Sequence, residues 1–300
     1  MYPISSTKVI LVDALGILIS RMYPISSTKV ILVDALGEVL LDLRGHGGPA
    51  YKCRFFPSGQ VVISAGADGS CRIWSAENGL NPVTLVGHKM AVTDLKIVEK
   101  GRNVVTCRNH LHKDGSAKLW DVGESSVLAD VIQERGIINC CTIATTFDQI
   151  QVENEREVGT ENKLVIIGCE SGLVVGAHLA KRQEMFCTQL ESPCNACAAI
   201  EQSVVQLNFE GTILRQWHES ASPVLSLSVL PNQMFILGRQ DGACTVISLQ
   251  EAYSATRVYL TGSDCDGIRD IAFNGKWIFT GCRDTLVRKY DLNQVNVHFK

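Results

Sequence analysis

The sequence predicts an all-β fold, a β-propeller with seven blade positions, the first of them incomplete. Three observations carry that prediction. Gly45-His46 and Gly87-His88 open two copies of one unit, 42 positions apart. The copies agree down their length: Ser64, Asp68-Gly69 and Ile73-Trp74 of one answer Thr106, Asp114-Gly115 and Leu119-Trp120 of the other. Asp-Gly turns, or decayed forms of them, recur between apolar runs at Ser171-Gly172, Glu210-Gly211, Asp241-Gly242 and Asp284-Thr285. A period of about 40–45 residues with Gly-His at one end and an apolar-Trp pair near the other is the pattern of WD repeats, four strands to a blade.

Each unit follows from this ruler. Asp-Gly between two β-rich runs favours a two-residue type I′ hairpin, because both central residues then take positive φ. The units fall at residues 28–44, 45–86, 87–134, 136–190, 192–220, 222–262 and 266–292. A shift of 42 lays Ile31-Leu32 on Ile73-Trp74, Leu43 on Leu85 and Gly45 on Gly87. Residues 28–44 therefore read as the last two strands of a blade whose first two are absent. The unit at 87–134 carries extra residues around Asn109-His110-Leu111-His112. The unit at 136–190 carries a charged insertion at 148–163, expected to be a solvated surface loop. The last unit needs an outer strand, drawn from residues 294–299 or from the N-terminal segment.

Residues 1–16 recur letter for letter at 22–37. Diverging repeats do not stay identical while their neighbours drift, so a recent duplication or a gene-model error is the expected source. Residues 1–27 are set apart as this duplicated segment, and residues 28–300 as the propeller. A secretory signal is not expected: Asp13 interrupts the apolar run and no positive cluster precedes it. No stretch is long enough to span a membrane as a helix.

Composition narrows the function. A net charge of −3 supplies no basic field for nucleic acid. The 12 cysteines lie mostly inside apolar runs and read as reduced core residues of an intracellular protein, placed in the cytoplasm with the nucleus as a second compartment. Neither a P-loop nor a dinucleotide fingerprint occurs, so no cofactor is expected. Cys194-Asn-Ala-Cys197 is a lone CxxC without a second pair at ligand spacing, and no metal site is assigned to it.

His46, Ser64, Asp68 and Trp74 form the polar set that a WD blade buries between its strands, and His88, Thr106, Asp114 and Trp120 form it again. A Ser, His and Asp together also invite a hydrolase reading. Repetition of the set in two blades argues for a structural hydrogen-bond chain instead, and no enzyme activity is expected. Lys113, Arg239 and Arg283 lie in or just before hairpin turns and are the candidate partner-binding residues, since Arg is enriched at binding hot spots.

Particular segments then resemble one family. Lys52-Cys-Arg-Phe-Phe-Pro-Ser-Gly59, Val61-Val-Ile-Ser64, Gly101-Arg-Asn-Val-Val105, Pro223-Val-Leu-Ser-Leu227 and Thr261-Gly-Ser-Asp-Cys-Asp266 look like the proteasomal ATPase-associated factor 1 family. Asn154-Glu-Arg-Glu-Val-Gly-Thr-Glu161 is the most telling, because it lies in an insertion that generic WD repeats lack. The resemblance runs from Thr28 to Leu292, and the duplicated start has no counterpart in it. It implies a non-catalytic WD propeller that binds ATPase subunits of the proteasome regulatory particle and regulates its assembly or its union with the core particle; the chain itself is expected to be a monomer. A WD scaffold or a ubiquitin-ligase substrate receptor is the alternative.

Overall fold

The structure is a computed structural model of the chain. It describes residues 2–3, 9–12, 17–19, 29–33, 39–108, 115–146, 150–152, 154–190, 194, 199–200, 203–204, 224–230, 234–248, 255–258, 267–273, 277–282 and 286–291. The chain divides into two compact units, Gly45–Trp217 and the pair of segments Met1–Arg44 and His218–Lys300.

The unit Gly45–Trp217 holds three four-stranded antiparallel blades, each with its strands in chain order. Blade 1 is Ala50–Phe55, Val61–Gly66, Ser70–Ser75 and Val83–Val86. Blade 2 is Val92–Val98, Asn103–Arg108, Ser116–Asp121 and Ser126–Ile132. Blade 3 is Ile138–Thr145, Lys163–Cys169, Leu173–His178 and Gln183–Gln189. A short pair, Ala199–Ile200 with Ser203–Val204, follows.

The other unit holds two more blades and a mixed sheet. Blade 4 is Val224–Leu230, Met234–Arg239, Cys244–Ser248 and Ala255–Val258. Blade 5 is Ile268–Phe273, Trp277–Cys282 and Leu286–Asp291, with Tyr2–Pro3 as its outer strand. The N-terminal segment thus pairs at that edge, while residues 294–299 lie outside the described residues. In the mixed sheet Lys29–Val33 pairs antiparallel with Val39–Arg44, while Val9–Val12 covers its other edge in parallel. The register is Val9↔Val30 through Val12↔Val33, so the two copies of the duplicated VILV stack like on like. A parallel pair needs a dozen or more connecting residues, and residues 13–28 provide them.

Among the described residues there are five antiparallel blades, not the seven blade positions expected. The blade begun by residues 28–44 is completed in parallel by the duplicated segment. The unit expected at 192–220 lies almost wholly outside the described residues.

Burial explains why adjacent sheets stack. The second strand Asn103–Arg108 is buried throughout, whereas the outer strand Gln183–Gln189 is mostly exposed. Apolar side chains from both faces of a blade pack on its neighbours: Ile63 and Ile73 of blade 1 share a core with Leu95 and Val104 of blade 2. Val105 and Leu119 of blade 2 share the next with Val165 and Ile167 of blade 3. Ile236 and Val246 of blade 4 pack with Ile271 and Ile278 of blade 5. Each fully buried aliphatic side chain contributes roughly 1.5–3 kcal/mol.

The Asp-Gly turns differ from the type I′ form expected. Gly69 takes φ 74°, but Asp68 is not in the positive-φ region. Gly69 N donates to Gly66 O at 3.2 Å, so Ala67 and Asp68 make an ordinary turn and Gly69 follows it in the left-handed region. That is the three-residue hairpin loop with a bulge. Gly172 (φ 82°) on Cys169 and Gly242 (φ 80°) on Arg239 repeat it. The gain is local: Asp68 Oδ1 accepts from Ser70 N at 3.1 Å, and Asp241 Oδ1 from Ala243 N at 3.1 Å.

Candidate functional site

Blade 1 assembles the complete polar set. Trp74 Nε1 donates to Ser64 Oγ at 2.8 Å, and Ser64 Oγ lies 2.7 Å from His46 Nε2. His46 Nδ1 sits 3.0 Å from Asp68 Oδ2, and Gly47 N donates to that same oxygen at 2.8 Å. One direction satisfies every group: indole N–H to hydroxyl, hydroxyl O–H to a neutral imidazole, imidazole N–H to carboxylate. The glycine before each histidine has a matching reason. A Cβ on Gly45 would lie 3.1 Å from the Trp74 ring, and one on Gly87 2.9 Å from the Trp120 ring. Only a bare backbone lets the indole pack there.

The connectivity is that of a hydrolase triad, but the surroundings are not. Ser64 is fully buried and its oxygen already accepts the Trp74 N–H. A substrate carbonyl has no path to it. Burial lowers the His46 pKa against the opposing pull of Asp68, so the ring stays neutral. Burial alone would raise the Asp68 pKa; the Gly47 hydrogen bond, the neighbouring His46 and the Ser70 hydrogen bonds outweigh it and hold the carboxylate ionised.

Blade 2 repeats half of this. Trp120 Nε1 donates to Thr106 Oγ1 at 2.7 Å, and Thr106 Oγ1 lies 2.6 Å from His88 Nε2. His88 Nδ1 has no hydrogen-bond partner among the described residues. Asp114 and Lys113 lie outside them, as does Arg283. Burial, with the charges of Lys118 and Arg108, pushes His88 down to about 3.

The exposed role expected for Arg239 does not match its position. It ends the second strand of blade 4 and is fully buried, with Nε 3.8 Å from Asp241 Oδ1.

Two groups escaped the sequence reading. Asp94, buried on the first strand of blade 2, accepts from Leu95 N and, at 2.9 Å, from Cys141 N of blade 3. Burial opposes its charge, and Lys96, Lys52 and Arg54 hold its pKa down. The second group is the insertion. Residues 154–161 are not a solvated loop but are fastened to blades 2 and 3. Arg156 Nε donates to the buried Asp121 Oδ2 at 2.9 Å, beside Arg102 Nε at 3.0 Å from Oδ1. Val158 N donates to Asn103 Oδ1 at 2.7 Å, and Glu157 pairs with Arg182. The signal was present in the Trp120-Asp121 pair, a buried acid needing a base, and in the one Arg of Glu155-Arg156-Glu157.

Among the described residues no group of three His, Cys, Asp or Glu side chains could hold a metal ion. What the described residues form in blade 1 is a buried chain of hydrogen bonds.

The profile of the WD domain, G-beta repeat, matches residues 37–75, 81–121 and 254–291. This chain carries WD repeats. It is also similar to proteins named proteasomal ATPase-associated factor 1. The match to that of Bos taurus is 35% identical over 157 residues, 48% of this chain and 39% of the relative. That of Gallus gallus is 36% identical over 177 residues, 53% of this chain and 44% of the relative. The 26S proteasome regulatory subunit RPN14 of Saccharomyces cerevisiae is 28% identical over 185 residues, 55% of this chain and 42% of the relative. The chain spans about two fifths of the length of these curated relatives.

Proposed function

We propose that this chain is a non-catalytic binding protein that engages ATPase subunits of the proteasome regulatory particle, and so regulates the particle's assembly or its association with the core particle. The observation that carries this reading is the similarity to proteins named for proteasomal ATPases and for the 26S proteasome. The buried His46–Ser64–Asp68–Trp74 chain supports the non-catalytic part, because Ser64 is enclosed and its oxygen already accepts the Trp74 N–H. The mechanism is steric and stoichiometric: the propeller occupies an ATPase subunit until the next assembly step displaces it. The chain acts as a monomer, without a cofactor or nucleic acid, in the cytoplasm and nucleus.

Affinity purification of the tagged chain tests this, with a full-length proteasomal ATPase-associated factor 1 alongside. Regulatory-particle ATPases recovered by both baits are expected. Recovery by the full-length bait alone would reject the proposal, and ligase subunits on this bait would point to a substrate receptor.

A further inference from the structure

We infer that Cys140 and Cys194 form an oxidation site, a dithiol that closes to a disulfide on exchange with a low-molecular-weight disulfide such as glutathione disulfide. The two sulfurs share the space above one glycine. Cys140 lies on the first strand of blade 3, paired across the ladder with Gly168. A Cβ on Gly168 would lie 2.7 Å from Cys140 Sγ and 2.4 Å from Cys194 Sγ. The sulfurs are therefore no more than about 5 Å apart, within one side-chain rotation of the bonded separation of about 2.05 Å.

The backbone already holds the pair. Cys194 N donates to Cys169 O at 3.0 Å, and Cys140 Sγ lies 3.7 Å from Cys194 O. Blade 4 fills the corresponding positions with other side chains. There Ser226 lies opposite Gly238, and a Cβ on Gly238 would meet Ser226 Oγ at 2.3 Å and Ile268 Cγ2 of the following strand at 2.6 Å. In blade 3 a cysteine takes both places. The neighbouring Cys141 belongs to the core between blades 2 and 3 and faces away from the pair.

Accessibility sets the order of events. Cys194 is half-buried and Cys140 is buried. The Cys194 thiolate attacks one sulfur of glutathione disulfide, forming a mixed disulfide and expelling one glutathione thiolate. The Cys140 thiolate then attacks Cys194 Sγ, breaks that bond and expels the second glutathione thiolate. The two protein thiol protons end on the two glutathiones, so two thiols are oxidised and one disulfide is reduced. The bond ties residues 54 apart in sequence and anchors the chain where it leaves blade 3.

The test oxidises the purified full chain with glutathione disulfide, blocks remaining thiols and maps tryptic peptides without reductant. The expected product links peptide 136–156 to peptide 183–215 and vanishes with dithiothreitol. It should be lost in Cys194→Ser and Cys140→Ser but kept in Cys141→Ser, Cys187→Ser and Cys197→Ser. Gly168→Ala, with its fold checked by circular dichroism, should cut the yield several-fold because its Cβ occupies the sulfurs' space. A link that survives Cys194→Ser, a Cys194–Cys197 bond instead, accumulation of the Cys194–glutathione adduct alone, or an unchanged yield in folded Gly168→Ala would each overturn the inference.

Discussion

Blades 1 and 2 share one set of residue types and use it differently. Blade 1 carries its hydrogen-bond chain from Trp74 through Ser64 and His46 to Asp68. In blade 2 the chain runs from Trp120 to Thr106 to His88, and His88 Nδ1 has no acceptor among the described residues. In the sequence, eight positions separate Thr106 from Asp114 where four separate Ser64 from Asp68. Blade 2 is anchored at its other end, where buried Asp121 is held by Arg102 and by Arg156 of the insertion. The motif sets which side chains are available, but an insertion from the next blade brings Arg156 to Asp121.

Five substitutions sharpen that contrast, starting with the largest effect. Trp74→Ala removes a fully buried ring and strands Ser64, and should cost about 3–5 kcal/mol in urea unfolding. A loss below about 1 kcal/mol would show that the blade does not rest on this ring.

Removing the histidines compares the blades directly. His46→Ala severs contacts to both Ser64 and Asp68, whereas His88→Ala severs only the contact to Thr106 among the described residues. The first should be more destabilising by about 1 kcal/mol, the net worth of one buried hydrogen bond. Equal losses by denaturant titration would mean that Asp68 contributes nothing through His46.

Arg156→Ala releases the insertion while Asp121 keeps Arg102, and should cost about 1–3 kcal/mol. Limited proteolysis should then cleave near residues 154–161 faster than in the parent. An unchanged cleavage rate would return this segment to the solvated loop that its charge implied.

The smallest effect is in pH dependence. Both histidines are held below their unfolded value of about 6.5. On acidification the unfolded chain therefore binds protons before the folded chain does, and stability falls as the pH drops below that value. For His88 the fall continues toward its folded value of about 3. His88→Gln should flatten the stability profile between about pH 6 and pH 4. An unaltered slope would mean that His88 titrates normally in the fold.

Much of this was legible in the sequence for a physical reason. Gly45, His46, Ser64, Asp68 and Trp74 are each demanded by one buried contact, so their spacing repeats and can be read. The five antiparallel blades follow the same period. What escaped depends on register and on distant pairing. The three-residue turn at Asp68-Gly69 obeys a local backbone preference that the dipeptide alone does not distinguish from type I′. Arg239 looks like a surface turn residue until its strand is extended one position and buried. Arg156 reaches Asp121 across 35 residues, which no local pattern reports. The parallel stacking of Val9–Val12 on Lys29–Val33 runs against the meander that every blade follows.

The central proposal is that this chain binds proteasomal ATPase subunits as a non-catalytic partner. Titration calorimetry of the purified chain against purified regulatory-particle ATPase subunits, one at a time, tests it most directly. Saturable one-to-one binding to at least one subunit is predicted, together with no change in that chain's mass or in added ester and peptide substrates. No binding to any subunit, under conditions where full-length proteasomal ATPase-associated factor 1 binds, would contradict it.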